Sequence, residues 1–187
     1  FLLWLWQRGL LDGGTSGVEG DTSALFLDDA VVLVSERGDV KEISLRKGNP
    51  ELLTASLSSR VTITGARAAT GYGVQVTREF AWQLAASPRI LVSGGAYGID
   101  AEAHRAALTA RSASTIAVLA GGLDRPYPQA HDDLFRRITD QGGLLLSEAA
   151  PGYAPTKGRF EARSRLLAAL SAATVIPEAG ARSGSLR

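Results

Sequence analysis

The stretch Ile90 to His104, ILVSGGAYGIDAEAH, decides the fold of this chain. Ile90 to Ser93 suit a buried parallel strand, Gly94 and Gly95 follow at once, two residues lead to Gly98, and the rest reads as helix. In that order of strand, glycine turn and helix, the backbone can approach a ligand closely. The free N–H groups of the first helical turn then point at whatever sits above the strand end. Helix dipole and unpaired donors act together there, which suits phosphate or a similar anion. A tight connection with no ligand accounts for the glycines equally well.

Outward from this stretch the pattern repeats. Strands are expected at Arg60–Thr64, Ile90–Ser93, Thr115–Ala120, Gly143–Ser147 and Ala173–Pro177, with helices at Gly73–Ala86, Asp100–Ala110, Gln129–Asp140 and Glu161–Leu170. Strands rich in Val, Ile and Leu, separated by helices of ten or more residues, mean a parallel sheet covered on both faces. The fold class is therefore α/β, a Rossmann-like parallel sheet with helices on both faces. It is preceded by a poorly legible N-terminal segment, residues 1–59, and the boundary falls near Arg60. Within that segment Phe1–Leu11 reads as an apolar helix, Asp12–Asp21 as a loop, Ala30–Val34 as a short strand and Glu51–Leu57 as a short helix after Asn49-Pro50.

Composition sets limits. The chain has 187 residues, of which 45% are apolar and 21% charged, enough for one well-buried domain and part of a second. A net charge of +1 excludes a global basic field, so affinity for nucleic acid must come from a local cluster. No cysteine is present, which removes disulfides and thiolate metal sites, and the two histidines are far apart in sequence. No metal site, cofactor or catalytic residue is assigned. The opening FLLWLWQRGLL is too short for a membrane span and has no basic leader or cleavage site. A cytoplasmic protein is expected, with no membrane contact. The start without Met and the stop at Arg187 read as trimmed ends, so residues 60–187 form a Rossmann-like domain trimmed at its C-terminus.

Ligands of such sheets bind beyond the carboxyl ends of the strands. All five strand ends carry glycine or polar residues: GARAATGYG from Gly65, SGGAYGID from Ser93, AGGLDRPYP from Ala120, SEAAPG from Ser147 and EAGARSGS from Glu178. Five loops meeting on one rim, with Arg67, Asp100, Asp124, Glu148, Glu178 and Arg182 among them, favour a functional rim over plain connection. Arg67 is placed to clamp a phosphate or a base edge, or to make an ordinary salt bridge. Ser183-Gly184-Ser185 supplies hydroxyls and backbone donors for a second anion nest, or caps a helix. Asp100 and His104 fall four apart on one helix face, as an acid–base pair or, more simply, as a cap and a packed residue. Lys157, Arg159, Phe160, Arg163 and Arg165 combine cations with an aromatic, the ingredients of single-strand binding, with Phe160 or Tyr72 as the stacking partner.

These strings, followed by LLLSEAAPG, GRFEARSRLLAALS and EAGARSGSL at similar spacing, resemble the DNA-processing protein A family (DprA, also called Smf) over about two thirds of the chain. LRKGNPELL from Leu45 resembles the segment leading into the family's Rossmann-like domain, and LVSGGAYGID and AVLAGG look most like actinobacterial members. The resemblance implies a non-enzymatic protein that binds single-stranded DNA and forms a homodimer. It further implies protection of incoming strands in natural transformation and loading of the recombinase RecA. Arg67 matches the arginine of the family's Gly-Ser-Arg turn, and Gly94, Gly95 and Gly98 match its glycine turn. Phe160, Arg163 and Arg165 match its Asn-Phe-Pro-x-Arg-Asn-Arg segment, and Ser183, Gly184 and Ser185 its phosphate loop. Ala66, Arg159, Glu161 and Ser164 depart from the family pattern of Ser, Asn, Pro and Asn. The alternative is a nucleotide-binding or nucleotide-cleaving protein related to the lysine-decarboxylase-like phosphoribohydrolases. EAGARSGS stands where such an enzyme would carry Pro-Gly-Gly-x-Gly-Thr.

Overall fold

The structure, a computed structural model, describes residues 22–27, 30–35, 40–46, 48–110, 114–149, 151–181 and 183–186. Its strands and helices are, in order, β1 (Thr22–Leu27), β2 (Ala30–Ser35), β3 (Val40–Arg46), β4 (Arg60–Ile63), α1 (Gly71–Ala85), β5 (Ile90–Gly94) and α2 (Ile99–Ala107). They continue with β6 (Thr115–Leu119), α3 (Asp132–Asp140), β7 (Leu144–Ser147), α4 (Lys157–Ala169) and β8 (Ala173–Val175). Strands β4 to β8 pair in parallel in the order β7-β6-β5-β4-β8, the expected Rossmann-like sheet.

Alternate residues of β4 to β7 bury toward opposite faces, as the two-residue repeat requires. Ile90, Val92, Ile116, Val118, Leu144 and Leu146 pack with Leu166, Leu167 and Leu170 of α4 and with Leu52. On the other face Ile63 and Leu91 meet Ala81 and Ala85 of α1 and Ala103 and Ala107 of α2, while Ala117, Leu119 and Leu145 meet Leu134, Phe135 and Ile138 of α3. Helices α1 to α3 thus cover one face and α4 the other. From β4 to β7 the chain advances one strand at a time, and α4 then carries it back across the sheet so that β8 lies beside β4. The order reverses at the β4/β8 pair, where the loops leave in opposite directions and open a crevice.

The first part of the chain also joins the sheet. β1, β2 and β3 form an antiparallel meander, and β3 pairs antiparallel with β7 through Leu45 with Leu146 and Arg46 with Leu145, making eight strands in all. Ala30–Val34 is the part of this meander visible in the sequence. The expected helix at Phe1–Leu11 and loop at Asp12–Asp21 lie outside the described residues. Instead of one helix, Glu51–Leu57 holds part of two 3-10 turns, Pro50–Leu53 and Leu57–Ser59, because Ser56 between them is extended at φ −60°, ψ 152°. Helix starts move as well: Gln129–His131 is a 3-10 turn, so α3 begins at Asp132. Thr70 accepts from Gly73 N at 3.2 Å and starts α1 at Gly71, while Thr156 accepts from Arg159 N at 3.3 Å and starts α4 at Lys157 instead of Glu161.

Candidate functional site

A groove of about 1040 Å³ opens at the crevice between the β4 and β8 ends. Of the residues singled out in the sequence, Arg67, Lys157, Phe160, Arg163, Arg165, Ser183, Gly184 and Ser185 line it. Thr64, Asp100, Glu161 and Ser164 line it too. Arg67 comes from the loop after β4, the serines from the loop after β8, and the rest of the cations from α4, whose first turns face the crevice. Tyr72, on the first turn of α1, is 75% exposed and does not line the groove. Arg182 lies outside the described residues.

Gly94, Gly95 and Gly98 stand behind this lining. A Cβ on Gly94 would collide with the Asp100 carboxylate and the Arg163 guanidinium, and one on Gly98, at φ +73°, with the carbonyls of Ala66 and Arg67. These two glycines let the protein's own groups approach the strand ends. A Cβ on Gly95 would lie 2.5 Å from Leu119 and 2.8 Å from Phe135, in the core under α3. Two donors of the glycine turn are also taken. Ala96 N donates to Asp100 Oδ2 at 3.3 Å and Ile99 N to the Ala66 carbonyl at 3.1 Å. At the start of α1 the Glu178 carboxylate accepts from Thr70 N at 3.0 Å and from its hydroxyl at 2.8 Å. The N-termini of α1 and α2 therefore hold carboxylates of the chain itself, and the positive charge lining the groove comes from side chains.

Those side chains form a linked cluster. Arg67 lies over the Phe160 ring at 4.5 Å and Arg163 at 5.4 Å, both in cation–π range, and Tyr127 meets the same ring edge-on at 6.2 Å. Arg163 Nη2 stands 3.6 Å from Asp100 Oδ2, with the side chains 9% and 2% exposed. The Thr64 hydroxyl donates to Asp100 at 2.8 Å. Burial pushes the Asp100 carboxyl above its usual range, against the pull of Arg163 and Thr64, and the same burial lowers Arg163 against the pull of Asp100. Arg163 Nε has no hydrogen-bond partner. Arg165 is held by both oxygens of Glu148, at 2.9 and 3.0 Å. Ser185 Oγ donates to the Gly65 carbonyl at 3.2 Å and Ser185 N to Ser183 Oγ at 3.2 Å, so the Ser-Gly-Ser turn is closed on itself and tied to the loop after β4.

Asp100 and His104 share a helix and do not meet as acid and base. Imidazole His104 is fully buried, with Nε2 2.9 Å from the Gly94 carbonyl and Nδ1 2.8 Å from the Thr115 hydroxyl, and burial lowers it to about 4. Two groups around the groove escape a reading of the sequence. Thr64 reads there as the end of a strand, and Tyr127 sits inside the string AGGLDRPYP without standing out, though an aromatic in a strand-end loop of this sheet is the available signal.

Among the described residues there is no cluster of His, Asp or Glu able to hold a metal ion, and no helix is long and apolar enough to cross a membrane. A family model described as DNA recombination-mediator protein A matches residues 39–187. A putative DNA processing protein DprA from Mycobacterium tuberculosis is 51% identical over 123 residues, 66% of this chain and 31% of that protein. DNA processing protein DprA from Streptococcus pneumoniae is 38% identical over 156 residues, 82% of this chain and 52% of that protein. The chain thus spans about a third to a half of the length of these relatives. Among solved structures, DNA processing protein A from Helicobacter pylori, described for its single-stranded DNA binding mode, superposes with a TM-score of 0.70 at 34% identity over 90% of this chain and 74% of that one. The X-ray structure of DNA processing protein A from Streptococcus pneumoniae gives 0.68 at 39% identity over 78% of this chain and 49% of that one.

Proposed function

The chain belongs to the DNA recombination-mediator protein A family, the DprA/Smf proteins, and from that premise we propose that it binds single-stranded DNA in the groove between the ends of β4 and β8. One observation carries the reading: Arg67, Lys157, Arg163 and Arg165 line a single groove with Phe160 among them, against two lining carboxylates, Asp100 and Glu161. Cations that follow a phosphate chain beside an aromatic ring are what an unpaired strand requires, and such a site tolerates any base sequence. The relative from Helicobacter pylori, described for its single-stranded DNA binding, supports the same choice of ligand. The groove holds strands without altering them covalently. In the wider role the protein acts in the cytoplasm as a homodimer, covers strands taken up in natural transformation and hands them to RecA.

The test is ligand length. Titration with a nucleoside monophosphate and with oligothymidylates of increasing length is expected to give affinity that climbs with length and falls with salt. Saturation at one nucleotide, with no gain for longer strands, replaces strand binding with the nucleotide-binding alternative.

A further inference from the structure

The groove at the β4/β8 crevice accounts for two of the five loops on the rim, and the loops after β6 and β7 carry aromatic side chains of their own. Tyr127 is 45% exposed and Tyr153 56% exposed. Neither stands alone: Tyr127 meets the Phe160 ring edge-on at 6.2 Å, and Arg159 lies over the Tyr153 ring at 4.7 Å. The two loops are fastened together, since Gly122 N donates to the Tyr153 carbonyl at 2.9 Å and Gly152 N to Asp124 Oδ1 at 2.9 Å. That second bond turns the Asp124 carboxylate toward backbone, and Arg159 is the cation over the Tyr153 ring. Exposed rings anchored by a rigid pair of loops, next to guanidinium groups and continuous with the groove, are built to stack flat, electron-poor partners carried on a negative chain.

We propose that Tyr127 and Tyr153 form a second base-stacking segment, so that one DNA strand runs across the whole carboxyl rim from β8 to β7. The inference rests on the strand-binding reading of the groove. Five parallel strands at about 4.8 Å give a rim of roughly 19 Å, room for more than one nucleotide of an unpaired strand. The groove takes the portion over β8 and β4, and the two tyrosines take the bases that follow. Glu148, which would repel a phosphate at this end, is offset by Arg165, which donates hydrogen bonds to both of its carboxylate oxygens.

The experiment compares the wild-type chain with Tyr153→Ala, the Tyr127→Ala/Tyr153→Ala double variant and the matching Phe variants, using oligothymidylates of about three and about ten nucleotides. The wild type is expected to gain affinity with length, and each tyrosine truncation to weaken the long strand by about 5- to 100-fold while the short strand binds as before. The Phe variants should match the wild type, because the ring and not the hydroxyl stacks on the base. Unchanged affinity for the long strand in the double variant overturns the proposal and leaves the groove standing. An equal loss at both lengths in Tyr153→Ala also overturns it, by showing an effect on the groove itself. A wild type that binds neither strand removes the strand-binding reading and this one with it. Melting temperatures of all variants are expected to coincide, since both rings are half exposed.

Discussion

Arg163 brings a guanidinium into a place nearly closed to water, and Asp100 at 3.6 Å is its counter-charge there. Replacing the arginine by a similar apolar side chain, Arg163→Met, strands a carboxylate that burial already holds above its usual range. The expected cost is about 3–5 kcal/mol at neutral pH. The sign with pH follows from protonation: as pH falls through the folded value of Asp100 the stranded charge disappears, so the gap between variant and wild type narrows in acid. Urea unfolding at two pH values measures it. His104 behaves in the opposite sense. Its folded value of about 4 lies below the ordinary 6.5, so the unfolded chain takes up the proton first and stability drains away as pH falls from 6.5 toward 4. The loss reaches at most ~3 kcal/mol, and in His104→Leu, which has no proton to bind, the decline over that window should be shallower by up to this amount. None of these pairings is readable in the sequence. Asp100 and Arg163 belong to different helices on opposite faces of the sheet, and it is the absence of a side chain at Gly94 that lets them meet across the strand end. What the sequence does carry is the set of lining cations: Arg67 in the loop just beyond β4, and Lys157, Arg163 and Arg165 in a basic cluster around Phe160.

At the scale of elements, β5 to β7 are legible because burial on both faces leaves them largely apolar, and the helices between the strands because a parallel crossover needs ten or more residues. The start of α4 is hidden by Lys157-Gly158-Arg159, where Gly158 has poor helix propensity and both cations are the wrong charge for a first turn, and the Thr156 cap is the signal that outweighs it. The meander is hidden for another reason: Asp28-Asp29 between two apolar runs is a hairpin cue, yet the flanking stretches lack strict alternation. The glycines of the turn after β5 now separate by role. Gly98→Ala is expected to lose about 1–2 kcal/mol through its left-handed backbone and to displace the loop bearing Arg67, lowering affinity for DNA along with stability. Gly95→Val should lose about 1–3 kcal/mol by overpacking Leu119 and Phe135. A Gly95→Val protein that remains folded at low temperature is expected to bind DNA normally, which thermal melts and titration on one sample will check.

For the molecule as a whole, net charge near zero supplies no global field, so on the proposed reading attraction to DNA comes from the cations of one rim. Removing one phosphate-binding cation from that rim lowers the salt dependence of single-strand binding by roughly 0.7 in logarithmic slope. Arg67→Ala is expected to show that change with equal weakening for all base sequences, whereas Arg78→Ala, whose guanidinium pairs with Glu102 on the α1–α2 side, should leave the slope alone. The meander bears on something different, the behaviour of the chain toward its own copies. β7 is a strand of three leucines and a serine, and β3 occupies the hydrogen-bonding groups on its outer side at Leu145 and Leu146. An apolar strand with that side bare is a template for pairing between molecules. A shortened chain beginning at Gly48 is therefore expected to self-associate as its concentration rises, seen by light scattering, at concentrations where the longer chain shows no such growth. The meander in this sense guards solubility: it covers the flank of β7, whose three leucines would otherwise stand at the edge of the parallel sheet.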